Sequence, residues 1–190
     1  MLALLMLMPL AHADPAPAER LMVSLRRAPV DPADCQRALA LPAPPNNCRV
    51  QTQPDAVLVL ATTGCGGDSC DVAAAVVRAD GVHALPATGG EAQLLGGTTV
   101  LLPGGRSVLT DRLGQGDAPG SWQVDTALID VGSGSVRDFL GCFSMALAPD
   151  GRTLTCRDRS GALLRSTVTG TPLQVVWPGP GADTVDWAPY

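Results

Sequence analysis

The feature that most constrains the fold of this chain is a turn that recurs along it, each time after a short apolar run. The run in "MALAPDGRTLTC" ends at Pro149-Asp150-Gly151, and "TVLLPGGRSVLT" has the same arrangement at Pro103-Gly104-Gly105. Proline presets one dihedral angle of a turn, and glycine accepts positive φ. With fainter copies at Pro54-Asp55 and Pro189, the turns recur at spacings of 49, 46 and 40 residues. The pattern predicts repeated units.

Short apolar runs with β-branched residues lie between these turns and are typical of strands. Residues 56–63 (AVLVLATT) form one such run, and Asp80-Gly81 is a hairpin dipeptide between two others. Glycine-centred turns at 132–134 and at Ser160-Gly161 supply the second hairpin of the later units. A repeat of about 40 to 50 residues with four strands is typical of a propeller blade, because such a sheet cannot cover both of its faces alone.

One stretch carries a resemblance to a known family. Residues 146–176, "ALAPDGRTLTCRDRSGALLRSTVTGTPLQVV", resemble the blade repeat of TolB-like and WD-like β-propeller proteins, and "VDWAPY" at 185–190 resembles the opening strand of a further blade. The similarity is strong in this unit, moderate in the one before it and weak in the first. It implies a fold more than a function, because propellers carry many unrelated activities.

The predicted fold is therefore all-β: a β-propeller-like array of about three four-stranded antiparallel blades, incomplete or open, over residues 50–190. The units are about 50–97, 98–141 and 142–184, followed by the start of a further strand. Closed propellers typically have 4 to 8 blades, and three leave sheet edges open. We expect the missing sheet to come from the N-terminal segment or from another chain, unless the chain is a fragment or a degenerate relative.

The N-terminal part has a different texture. Residues 1–13 combine an apolar run with Ala11-His12-Ala13, which predicts a secretory signal peptide, although the usual positive n-region is missing; the alternative is a buried N-terminal segment. Residues 14–49 form a proline-rich, mostly irregular leader. Within it, Asp31 as N-cap and Pro32 at the first helical position predict a short helix to about Leu41.

The six cysteines occur as three close pairs, which in an oxidising compartment indicates disulfides. Six cysteines allow 15 connectivities, and pairing between neighbours is the simplest of them. The spacings fit a zinc site poorly. The pairs are Cys35 with Cys48, Cys65 with Cys70, and Cys142 with Cys156, the last lying seven residues either side of Pro149.

The charges exclude some classes of partner. All 13 basic residues are arginine, against 18 acidic residues, for a net charge of −5. This argues against nucleic acid or an anionic membrane surface as the main partner. No apolar run reaches the roughly 18 residues of a membrane span.

No catalytic or cofactor site is predicted. His83 is the single histidine after the predicted signal peptide, and we interpret it as an exposed strand residue. "VGSGSV" is not a G-x-S-x-G elbow, the glycine-rich strings lack the Lys-Ser/Thr of a phosphate loop, and most aspartates stand where this residue makes turns.

Two side-chain sets remain as candidate surfaces. Trp122, Trp177 and Trp187 either form a stacking surface, for example for carbohydrate, or fill space between blades. The arginines of the third unit are interpreted as a solvated strand face: Arg152, Arg157, Arg159 and Arg165.

These observations predict a secreted or periplasmic, non-catalytic repeat module that binds protein. If it behaves as TolB-like repeats do, its partner is an envelope protein; self-association through open edges is the other option. The competing hypotheses are a propeller-type hydrolase or lactonase, the propeller portion of a peptidase, and a fragment without independent function.

Overall fold

The structure, a computed structural model, is mostly β, with three four-stranded antiparallel sheets, none of them closed, and two helices. The prediction of three such sheets is confirmed. For some strand residues only the backbone is described: 64–66, 69–71, 93–98, 111–115, 122–125, 143 and 144. The structure describes residues 16–66, 69–86, 93–115, 122–139, 142–158, 160–169 and 173–177. The predicted signal peptide and the predicted strand at 185–190 lie outside these ranges.

The predicted helix is present as α2 (Pro32–Leu39). The Asp31 carboxylate accepts a hydrogen bond of 2.8 Å from the backbone N–H of Ala33, so it caps the orphan amides of the first turn. The helix stops because Ala40 adopts the left-handed conformation with φ 50°.

A second helix, α1 (Pro17–Leu25), lies in the leader that was predicted to be irregular. That prediction was wrong because a proline in the first turn of a helix does not interrupt it. Pro17 occupies the first turn, where its missing N–H costs nothing, and Glu19 accepts a hydrogen bond of 3.2 Å from the Ala16 N–H.

The first sheet has its strands in chain order. A two-residue turn, Pro54-Asp55, joins the first pair, with Gln53 opposite Ala56. The strands are β1 (Arg49–Gln53), β2 (Ala56–Gly66), β3 (Ser69–Arg78) and β4 (Gly81–Ala84).

The second sheet repeats this meander. Its first strand begins before the predicted unit boundary at 97/98, because the strand continues through an irregularity in pairing between Leu95 and Val100. The strands are β5 (Gln93–Leu101), β6 (Ser107–Gln115), β7 (Trp122–Asp130) and β8 (Val136–Phe139).

The third sheet repeats it again, with irregular pairing at two points. Its strands are β9 (Phe143–Leu147), β10 (Thr153–Arg157), β11 (Leu163–Thr167) and β12 (Gln174–Trp177).

The helices and sheets stack in chain order, and alternation along the strands divides the core into layers. On one face of the first sheet, Val57, Val59 and Val77 pack against Leu25, Cys35 and Ala38 of the helices. The opposite face of the first sheet contacts the second sheet through Ala56, Leu58, Leu60, Val76, Leu101, Val108 and Ile129. The second sheet contacts the third through Leu109, Leu128, Phe139, Cys142, Leu154 and Cys156.

The two later Pro-Gly turns share one hydrogen-bonding pattern. The Gly105 N–H donates to the Leu102 carbonyl at 3.1 Å, and the Gly151 N–H donates to the Ala148 carbonyl at 3.0 Å. Both glycines have left-handed φ, 64° and 67°. In each unit a residue after the third strand then donates to the residue that follows the glycine: Val131 to Arg106 and Val168 to Arg152, both at 2.9 Å.

Candidate functional site

The outer face of the third sheet is the candidate site. Leu154 and Cys156 of β10 are buried against the second sheet, so their neighbours along the strand project to the other side. The strand register then identifies the rest of this surface. We define the outer face as Thr153, Thr155, Arg157, Leu163, Arg165, Thr167, Gln174 and Trp177. None of these side chains belongs to a core cluster of the described part of the chain.

One cross-strand row of the outer face combines a cation with an aromatic ring. Arg157 lies opposite Leu163, and Leu163 lies opposite Trp177. The guanidinium carbon of Arg157 is 5.7 Å from the Trp177 ring centroid, within cation–π range, and the same side chain donates to the Gly161 carbonyl at 3.2 Å. These contacts hold Arg157 over one face of the ring.

Trp177 also has an unmet hydrogen-bonding group. Its indole Nε1 is buried and finds no acceptor among the described residues. A buried donor without a partner costs more than an exposed one. Among the described residues, the ring is therefore positioned by its contact with Arg157 and not by a hydrogen bond.

The next row of the outer face is polar. Thr155 lies opposite Arg165, and Arg165 lies opposite Gln174. Arg165 is exposed. Because Arg157 and Arg165 lie on adjacent strands two positions apart in register, they are diagonal neighbours, roughly 7 Å apart at Cβ. Together they form a basic pair on an otherwise neutral face.

The carboxylates in the turns at the two ends of β10 accept hydrogen bonds within those turns. Asp150 accepts from the Arg152 N–H, the Thr153 N–H and the Thr153 hydroxyl, and Asp158 accepts from Ser160 and the Ala162 N–H. The Thr153 hydroxyl, followed by the backbone N–H groups, lowers the pKa of Asp150 to about 2. The Ser160 hydroxyl is the main cause of a lowered pKa at Asp158. The outer face itself has no described carboxylate.

The edge strand β12 exposes two valines, of which Val175 lies opposite the inward-facing Leu164 and so belongs to the inner side of the sheet. Val175 is 64% exposed and Val176 is 40% exposed. By contrast, the edge of β5 is covered: the Gln51 side chain accepts from the Leu101 N–H at 3.1 Å and donates to the Thr99 carbonyl at 2.5 Å. The Gln51 amide of the first sheet therefore satisfies backbone groups at the edge of the second sheet. In the described part of the chain, no other element covers the outer face or the edge of β12.

Of the three tryptophans considered for a stacking surface, the structure describes one side chain. Trp177 lies on the outer face; Trp122 begins β7 with its side chain undescribed, and Trp187 lies outside the described residues. A three-ring stacking surface stays a prediction. Of the arginines, Arg152 is exposed in the β9–β10 turn, and Arg159 lies outside the described residues.

Two disulfides are described. Cys35–Cys48 joins α2 to the segment before β1, with Cα atoms 6.4 Å apart, and Cys142–Cys156 closes the β9–β10 hairpin at 5.6 Å. The backbone register places Cys65 opposite Cys70, but their side chains lie outside the described ones.

The remaining polar clusters suit structure better than chemistry. His83 was predicted to be exposed, but its side chain is partly buried. Its Nε2 lies 3.0 Å from Asp80 Oδ1. This hydrogen bond is the main cause of the lowered pKa of Asp80, with Arg78 3.2 Å away. The described residues contain no group of three His, Cys, Asp or Glu side chains able to hold a metal ion.

The helical pair has two further features. An open groove of about 800 Å³ runs along α1 and is lined in part by Glu19, Arg27 and Val82. Beneath it the buried carboxylate of Asp34 accepts from the Ser24 hydroxyl and pairs with Arg37. Within the described ranges, no helix has the length and apolarity needed to cross a membrane.

No protein-family model matches this sequence, and no curated protein matches it.

Proposed function

We propose that the chain is a non-catalytic repeat module of the β-propeller type that binds another protein outside the cytoplasm. The observation that carries the proposal is the difference between the two ends of the stack. The first sheet buries its outward valines under α1 and α2. The third sheet presents its outer face uncovered in the described residues. An antiparallel sheet needs a covering layer only where its face is apolar, and a mixed face with an aromatic and arginines is typical of a binding surface.

The placement outside the cytoplasm is supported by two disulfides, since such bonds persist in oxidising compartments. The propeller character is supported by the stacked meanders and the shared turn pattern. The resemblance of residues 146–176 to TolB-like repeats favours an envelope protein as partner.

Site-specific photocrosslinking tests the proposal. A benzophenone amino acid is introduced at Thr155 on the outer face and, as matched control, at Thr52, an exposed threonine on a strand of the first sheet. With a periplasmic or secreted-protein extract, we expect a discrete protein adduct from position 155 that excess unlabelled wild-type chain suppresses, and none from position 52.

Two results contradict the proposal. The first is the absence of a competable adduct from position 155. The second is turnover of lactone, ester or peptide substrates by the purified chain, which would favour the propeller-type hydrolase or peptidase.

A further inference from the structure

We propose that the outer face of the third sheet binds an acidic, extended segment of its protein partner, with carboxylates at alternate residues. This inference rests on the proposed function, because it names the chemistry of the partner at the same surface. It is carried by the sign of the charges on the face, by their spacing and by the position of Arg157 over Trp177.

The outer face has the opposite charge sign from the chain as a whole. The chain has a net charge of −5, yet the described charged side chains of the outer face are both arginines. Asp150 and Asp158 lie in the turns at the two ends of β10, outside this face, and accept hydrogen bonds within those turns. A face whose sign is opposite to that of the whole chain selects an acidic partner and disfavours a second copy of the same face, which would oppose arginine to arginine.

The spacing of the two arginines matches that of alternate residues in an extended strand. Arg157 and Arg165 are diagonal neighbours on β10 and β11 and lie roughly 7 Å apart at Cβ. Alternate residues of an extended strand project to one side at intervals of roughly 6.6 Å. Glutamates or aspartates at positions i and i+2 of such a strand therefore match the two guanidinium groups one to one.

The surroundings of Trp177 and of β12 favour a protein partner over an acidic polysaccharide. The guanidinium of Arg157 covers one face of the Trp177 ring, so that face is closed to a stacked sugar ring. At the edge of the same sheet, β12 exposes Val176, which the apolar side chains of a peptide can cover and a polysaccharide cannot. A peptide strand with carboxylates on one side and apolar residues beside them can pair with the arginines and also cover the apolar edge of β12.

Fluorescence anisotropy with the full chain and labelled peptides tests the inference. The probe is a nine-residue peptide that alternates Glu and Val; the controls are a peptide of the same composition with its glutamates in one block, and the alternating peptide with Lys for Glu. We expect the alternating acidic peptide to bind at least about tenfold more tightly than either control, with an affinity that falls as salt rises.

Variants locate the binding. Arg157→Gln with Arg165→Gln should weaken binding about tenfold, because two exposed ion pairs are lost. Arg106→Gln, at an exposed arginine in the turn of the second sheet, should change it less than about twofold. If the double variant does not fold, the binding of Arg165→Gln alone is measured instead. Circular dichroism checks the folding of each variant.

Three results overturn the inference: equal binding of the blocked and alternating peptides, an unchanged affinity in Arg165→Gln, or competition by polygalacturonate as strong as that of the acidic peptide. The last result would assign the face to an acidic polysaccharide. If the Arg165→Gln variant still forms a competable photocrosslink from position 155, the proposed function stands and only this partner chemistry is contradicted.

Discussion

Gly105 approaches Ala56 so closely that a Cβ atom on the glycine would clash with the Ala56 Cβ. Gly105 belongs to the β5–β6 turn, and Ala56 begins β2, so the contact joins the second sheet to the first. Ala56 is fully buried. The turn that repeats along the chain therefore also serves, in the second unit, as a packing surface between sheets.

We expect Gly105→Ala to destabilise the fold by about 2–4 kcal/mol, because it adds a clash in a packed core to the strain of a left-handed alanine. Gly151→Ala at the equivalent turn has the same φ but open space around it, and should cost only about 1 kcal/mol. Urea unfolding of both variants measures the difference. Equal losses would contradict the contact between Gly105 and Ala56.

The Gln51 side chain should contribute more to the free energy of unfolding than its position on a short strand suggests. Gln51→Leu removes hydrogen bonds to Thr99 and Leu101 in a partly buried setting, and we expect a loss of about 2 kcal/mol. Gln53→Leu is the control: it removes one bond of 3.3 Å to the Leu101 carbonyl, and should cost about 1 kcal/mol or less. Thermal unfolding reports both. A Gln51→Leu variant as stable as wild type would show that the β5 edge needs no cover.

The two described disulfides should differ in accessibility. Cys142 and Cys156 are both buried between the second and third sheets, whereas Cys48 is partly exposed. Because exchange requires access to sulfur, dithiothreitol should open Cys35–Cys48 first. Alkylation at timed intervals followed by mass spectrometry identifies the order, and earlier labelling of Cys142 would contradict it. Replacing Cys142 and Cys156 by alanine should cost about 3 kcal/mol, as expected for a loop of this length.

Local signals explain what could be predicted from the sequence. Asp31 before Pro32 and the Pro-Gly turns act within a few residues, and turn chemistry combined with alternating apolar runs was enough to predict three four-stranded sheets. The helix at Pro17 had comparable local signals in Glu19, Leu21 and Leu25. The prolines around it do not exclude this helix, because a helix tolerates proline in its first turn.

Contacts between sheets explain what could not be predicted. The Gln51 bonds to β5 span 48 and 50 residues and depend on how two separate sheets stack. Arg137, which donates to Ser166 and to the Thr167 carbonyl of the third sheet, is a similar case. The sequence predicts the outer face only as a solvated arginine surface. The contact of Arg157 with Trp177 could not be predicted, because it depends on the register of three strands.

Asp150 should make stability depend on pH in the acid range. Its pKa is lowered from 3.8 to about 2 because the folded turn donates three hydrogen bonds to its ionised form. The carboxylate therefore stabilises the fold fully above about pH 4, and this contribution is lost as the pH falls towards 2. Carboxyl NMR should show Asp150 titrating near pH 2, and urea midpoints should decline less between pH 4 and 2 in Asp150→Asn than in wild type. Thr153→Val removes the largest cause and should move the Asp150 titration towards 3.8; an unchanged titration in that variant would mean that the backbone N–H groups alone hold the carboxylate.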